Sequence, residues 1–160
     1  LKPEMSATDV ADSVVAAIEK DDYAFIVVNF ANGDMVGHTA VPESIVQAVE
    51  AMDGEVGRVL DAAVKHDYSV LLTADHGNCD EYRDPLTGQP HTQHTTYPVP
   101  CMIIDQSHWR LSSCGGLSNI APTILHLMGI SKPKGMAGKS LLLDEIDIAE
   151  QKKALANYSE

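Results

Sequence analysis

The chain has 160 residues, 44% of them hydrophobic, enough for one domain with a core of its own. Its 23 acidic residues against 11 basic ones give a net charge of −12, which argues against nucleic-acid or anionic-membrane partners, because phosphate backbones demand Lys and Arg. No run approaches the roughly 20 apolar residues of a spanning helix, and no basic stretch leads into an apolar one as in a signal peptide.

In chain order, the first predicted element is a helix over Ser6–Lys20. Ser6 can cap it, Asp9 would close a capping box, and Val10, Val14, Ala17 and Ile18 share one face. "YAFIVVNF", Tyr23–Phe30, is rich in β-branched and aromatic residues without alternation, the signature of a strand buried on both faces. Pro42 suits the first turn of a second helix, whose pattern of Ile45, Val49, Met52, Val56, Val59, Leu60 and Ala63 runs to about His66. "YSVLLTA", Tyr68–Ala74, reads as another buried strand. After a long polar loop "VPCMIID", Val99–Asp105, reads as a third. A short helix is expected over Asn119–Met128, closed by Gly129, with a further turn over Ala137–Leu143 and a polar, peripheral tail from Asp144 onward. Strand–helix–strand connections of this length predict an α/β fold, a mostly parallel sheet flanked by helices. Ligands of such sheets bind outside the carboxyl ends of the strands.

Three polar clusters fall at those ends. "NFANGDMVGHTA" follows the first expected strand and places Asp34 and His38 four apart, so both side chains can meet on one side of a helical turn. Taken singly, a capping Asp and a solvated His explain the pair more economically than a metal. "TADHGN" puts Asp75 and His76 side by side where Gly77 breaks the second strand. Neighbours on a strand point to opposite faces, so only such a break lets one ion collect both. "PHTQHTT" holds His91 and His94, with threonines that could orient the imidazoles.

Together, carboxylates and imidazoles at strand exits suit Mn²⁺, Zn²⁺ or Co²⁺ better than Ca²⁺. Two ions about 3.5–4 Å apart would clamp the attacking and leaving oxygens of a phosphoryl transfer. They would also offset the acidic charge where a phosphate must sit. Cys79, Cys101 and Cys114 are an odd number without a CxxC pair, so neither a disulfide framework nor a zinc ribbon is expected, and a reducing cytoplasm fits. Cys79, near the His cluster, reads as a small half-buried residue rather than a ligand. His66, His108 and His126 read as surface or packing residues, Trp109 and Tyr97 as packing residues, and Asn32 and Asn78 as hydrogen-bonding neighbours of the site.

The stretches "LKPEMSA", "NFANGDMVGHTA", "LLTADHGN" and "GQPHTQHTTYPVP" resemble, in order, the C-terminal part of cofactor-independent phosphoglycerate mutases, members of the alkaline phosphatase superfamily. The resemblance implies that residues 1–160 are an incomplete alkaline-phosphatase-like metal domain, lacking an N-terminal segment and an inserted substrate-binding domain. It implies that Asp34, His38 and His94 hold one metal and Asp75 and His76 a second, with His91 orienting neighbours or standing in for His94. The ions would be two divalent metals, Mn²⁺ first, with Mg²⁺, Co²⁺ or Zn²⁺ as alternatives, and no 2,3-bisphosphoglycerate. The family interconverts 3-phosphoglycerate and 2-phosphoglycerate through a phosphoserine. The nucleophilic Ser is not expected among this chain's residues: Ser6, Ser112 and Ser118 lie outside the matching motifs. The small-molecule substrate is therefore phosphoglycerate, with no nucleic-acid or membrane partner, in a monomeric, cytoplasmic parent protein. A phosphopentomutase, phosphatase or sulfatase relative with the same metal core is the competing enzyme reading. A metal-binding module without catalysis is the competing reading of another class.

Overall fold

A computed structural model describes residues 2–145 of the chain. They divide into two compact units between Met102 and Ile103, a boundary that falls within the strand Cys101–Ile104.

The first unit begins with helix α1, Ala7–Lys20, which buries Ala7, Ala11 and Ile18. Ser6 precedes it without a side-chain cap, and the Ser13 hydroxyl bonds the Asp9 carbonyl, so the expected capping box does not form. Asp21, in the left-handed region at φ 54°, ends the helix by donating its N–H to the Ile18 carbonyl. Helix α2, Asn32–Gly37, is short, and α3, Pro42–Lys65, starts with Pro in its first turn as predicted. Thr8 and Asp12 of α1 bond Glu55 and Arg58 of α3, tying the two long helices together. Val36, Ile45 and Ala48 form a buried cluster between α2 and α3, with Met5 and Cys79 packed against it. The buried Asn32 amide donates to the carbonyls of Pro3 and Glu4, so the start of α2 is held by the chain segment before α1.

Residues Tyr23–Phe30 do not form the expected strand. A strand exists only where a neighbour takes its N–H and C=O groups, and no strand pairs with this segment among the described residues. Tyr23, Phe25, Val27 and Val28 stay exposed instead, Val27 at 75%. β1, Val70–Thr73, and β2, Cys101–Ile104, form inside the stretches read as strands and pair in a two-stranded sheet. No helix of the described residues is long and apolar enough to cross a membrane.

In the second unit β3, Trp109–Leu111, pairs antiparallel with β4, Leu142–Glu145, with a register shift between Arg110 and Leu111. The turn expected over Ala137–Leu143 is thus replaced at its end by a strand. Leu141 and Leu142 are buried, and Ser112 donates to the Leu141 carbonyl, so the chain there is extended by pairing. Asp144 and Glu145 belong to β4; the rest of the tail lies outside the described residues. A 3₁₀ turn, Leu117–Asn119, leads into α4, Ile120–Leu127, and Gly129 at φ 66° follows it, as the sequence predicts.

Thr123 on α4 is fully buried: its hydroxyl donates to the Asn119 carbonyl and accepts the Leu141 N–H. Thr123→Val keeps the shape and orphans that buried N–H, which costs about 1–3 kcal/mol. Urea unfolding should show a lower midpoint with an unchanged slope; an unchanged midpoint would mean that the bond carries no net stability.

Candidate metal centre

All five residues assigned to metals by the sequence lie in the first unit, on three pieces of chain. Helix α2 carries Asp34 in its first turn and ends at His38, so the i,i+4 spacing puts both side chains on one side, with Asp34 Oδ1 3.2 Å from His38 Nε2. Asp75 and His76 leave the end of β1, where the regular strand stops. His94 comes from the long loop before β2. The loop is pinned by an isolated bridge between Gly77 and Thr95, with the Thr95 N–H donating to the Gly77 carbonyl at 2.9 Å. Gly77 must lack a side chain for this approach, because a Cβ there would stand 2.1 Å from the Thr95 hydroxyl oxygen. The Thr95 hydroxyl also donates to the Asp80 carboxylate, closing the loop on the strand exit.

The result is a set of ring nitrogens aimed at one oxygen. Asp34 Oδ1 lies 3.0 Å from His94 Nε2, 3.2 Å from His38 Nε2 and 3.9 Å from His76 Nε2. Asp75 Oδ2 approaches His76 Nε2 at 3.6 Å. The rings of His76 and His94 stack with centroids 3.7 Å apart. His91 points elsewhere: its Nδ1 meets the Glu81 carbonyl at 3.1 Å and its N–H bonds the Tyr82 carbonyl, so it braces the loop.

The hydrogen bonds behind the rings decide what faces Asp34. His38 Nδ1 lies 2.7 Å from the Thr92 carbonyl, and a carbonyl only accepts, so Nδ1 carries the proton. His76 Nδ1 meets the Gly77 carbonyl at 3.3 Å in the same sense. In its neutral form each ring then turns the lone pair of Nε2 toward the carboxylate. Lone pairs facing an anionic oxygen at these distances repel unless a cation sits among them. Protonating every ring would instead stack like charges, His76 on His94. A cation among the nitrogens would relieve both conflicts.

The donor spacing fits such an ion. Ligands about 2.1 Å from a tetrahedral metal stand roughly 3.4 Å from one another, and one donor atom each from Asp34, His76 and His94 all lie within 4.8 Å. This grouping crosses the division that the family resemblance implies, because His76 stands with Asp34 and His94.

Burial works to raise the Asp34 carboxyl pKa, but the Asn78 amide hydrogen bond, then the nearby His38, His76 and His94, hold it below the ordinary value. The carboxylate is thereby kept ionised for a cation. Cys79 is unlike a ligand: burial first, then Asp80 and Asp34, push its thiol up, and its Sγ donates to the Gly33 carbonyl. One contributor escaped the sequence reading. Thr92 orients His38 through its main-chain carbonyl rather than its hydroxyl, which no residue type signals. Asn78, expected to hydrogen-bond near the site, donates directly to the Asp34 carboxylate. Tyr97, expected to pack, is exposed and donates to Glu81.

The chain is similar to known proteins. A family model described as "Metalloenzyme superfamily" matches residues 1–132. A 2,3-bisphosphoglycerate-independent phosphoglycerate mutase of Pseudomonas putida is 51% identical over 144 residues, covering 90% of this chain and 28% of the relative. One from Methanosarcina acetivorans is 50% identical, covering 91% and 28%. The chain thus spans little more than a quarter of the length of these relatives. A crystal structure of Leishmania mexicana phosphoglycerate mutase at low cobalt concentration superposes with a TM-score of 0.78 at 31% identity, over 89% of this chain and 29% of that one. With a family model matched over most of its length and donor atoms gathered around one carboxylate, the chain belongs to the Metalloenzyme superfamily.

Proposed function

We propose that the chain supplies the metal-binding face of a phosphoglycerate mutase that interconverts 3-phosphoglycerate and 2-phosphoglycerate without 2,3-bisphosphoglycerate. The observation that carries the reading is the convergence of three Nε2 atoms on Asp34 Oδ1. The names of relatives about half identical to the chain over the aligned segment suggest the substrate.

In this reading Asp34, His38 and His94 hold one divalent ion and Asp75 and His76 hold a second, with Asp34 close enough to His76 to link the pair. Mn²⁺ is the first choice; Co²⁺, Mg²⁺ and Zn²⁺ are alternatives, and the cobalt used with the Leishmania mutase supports a transition ion. When bound, such a pair offers positive charge to both oxygens of an in-line phosphoryl transfer. The chain's own part is to hold that charge in place. The Thr92 and Gly77 carbonyls set the tautomers of His38 and His76, Asp34 stays ionised, and the Gly77–Thr95 bridge keeps His94 on the cluster. The phosphoryl group would pass from substrate to a serine and back to the neighbouring hydroxyl, with that serine supplied from beyond these 160 residues. An alkaline-phosphatase-like, mostly parallel sheet that includes β1 and β2 belongs to the same proposal, supported by the likeness to the Leishmania mutase.

The test is a chimera in which this chain replaces the matching segment of the Pseudomonas putida relative. With Mn²⁺ the chimera should convert 3-phosphoglycerate to 2-phosphoglycerate in an enolase-coupled assay, whereas the 160-residue chain alone should not. A folded, Mn²⁺-loaded chimera that leaves phosphoglycerate untouched would overturn the substrate, and turnover by the isolated chain would overturn the placement of the serine.

A further inference from the structure

Asn78 is buried to 7% exposure beside the cluster but is no ligand in it. Its amide nitrogen donates to the Asp34 carboxylate Oδ1 at 2.9 Å and reaches the Asp34 main-chain carbonyl at 3.3 Å. Both partners are acceptors, so the NH₂ end must face them, and the orientation of the amide is fixed. Its oxygen is left buried without a partner, the sole such side-chain atom found among the described residues. That oxygen occupies the space over Gly37, where a Cβ would stand 2.1 Å from it and 2.6 Å from the amide carbon.

An arrangement that strands a buried carbonyl oxygen is a poor way to hold a helix against a loop, because an apolar side chain would fill the space without that penalty. It is a good way to hold a carboxylate. The amide takes one lone pair of Oδ1 and stops rotation about the Asp34 side chain, so the rest of that oxygen's electron density faces the His38 and His94 nitrogens. A neutral donor does this without neutralising the anion, which Lys or Arg in the same place would do. We infer that Asn78 is a positioning residue of the metal centre, locking the Asp34 carboxylate for the ion, and that Gly37 lacks a side chain in order to admit it. The inference rests on the metal-centre reading.

The test compares the full chain with Asn78→Leu, which keeps the bulk and removes the donor, and Asn78→Ser, which keeps a shorter donor. Mn²⁺ affinity is measured by calorimetry, and the visible spectrum of the Co²⁺ form at a temperature where circular dichroism shows each protein folded. Asn78→Leu should bind Mn²⁺ about 10–100-fold more weakly, with altered Co²⁺ bands, and Asn78→Ser should fall between it and the parent. A folded Asn78→Leu that matches the parent in affinity and spectrum overturns the inference, whatever its melting temperature. Should Asn78→Leu fail to fold, Gly37→Ala decides, since its methyl group displaces the amide while leaving it in the chain. The same loss supports the inference, and parent-like binding overturns it. A parent chain with no measurable Mn²⁺ binding would instead remove the metal centre itself.

Discussion

Asp34→Asn should weaken Mn²⁺ binding by at least about 100-fold in a calorimetric titration, the largest loss expected from any single change at the cluster. The reason is geometric. His94, His38 and His76 all direct Nε2 at Asp34 Oδ1, within 3.9 Å. No other side chain of the set is approached by three rings. The asparagine keeps the shape but takes away the anion. If its NH₂ end turns toward the rings, donors occupy the place of the cation; if it turns toward Asn78, two amide nitrogens face each other. His38→Ala removes one neutral ligand and leaves the hub, so its loss should be smaller. His91→Ala should leave affinity near the parent value, because His91 braces the loop through Glu81. The stability of the chain should follow the same order. An ion that binds only the folded state adds about 2.7 kcal/mol at 100 times its dissociation constant, so a chelator should lower the parent's melting temperature and leave that of Asp34→Asn unmoved. Binding by Asp34→Asn within tenfold of the parent would remove Asp34 from the centre.

How much of this was legible beforehand depends on the range of the interaction that builds each element. α1, α3 and α4 are local: apolar spacing, Pro42 in a first turn and Gly129 after a last one identify them, and the structure departs only in the unused cap at Ser6. The Asp34–His38 pair is local too, since a helical turn sets it. His94 is not. What brings it to Asp34 is the bridge between Gly77 and Thr95, a pairing of residues far apart in the chain that no periodicity announces. Its motif showed through a family resemblance rather than through physics. The errors have the same origin. Tyr23–Phe30 has the composition of a doubly covered strand, but composition cannot supply the partner, and the segment stays exposed without one. The stretch Ala137–Leu143 ends in Leu141, Leu142 and Leu143, a short apolar run ambiguous between helix and strand. Pairing with Trp109–Leu111 resolves it. Spacing does not say how ligands divide between ions; in the structure donor atoms of Asp34, His76 and His94 lie within 4.8 Å of one another.

Gly138→Ala should destabilise the second unit by about 3 kcal/mol, through a single methyl group. A Cβ at Gly138 would stand 1.9 Å from the Ser118 carbonyl oxygen and 2.7 Å from its carbon. Both are backbone atoms, so no rotamer change can relieve the overlap, and either the 3₁₀ turn or the segment leading to β4 must move. Neither is free to do so. The Asn119 side chain donates to the Lys139 carbonyl and accepts the Gly116 N–H, while Thr123 joins the Asn119 carbonyl to the Leu141 N–H. The bonds to Lys139 and Leu141 join the turn and α4 to the segment just after Gly138, so widening the gap stretches both. Gly135→Ala is the matched control. Nothing lies within 4 Å of its added carbon and its φ is not positive, so the change should stay within about 0.5 kcal/mol. Urea unfolding of the two variants beside the parent measures both effects on one scale. Equal midpoints for Gly138→Ala and Gly135→Ala would show that the turn before α4 and the approach to β4 are not packed as described, and the placement of Leu141 over Thr123 would fall with them.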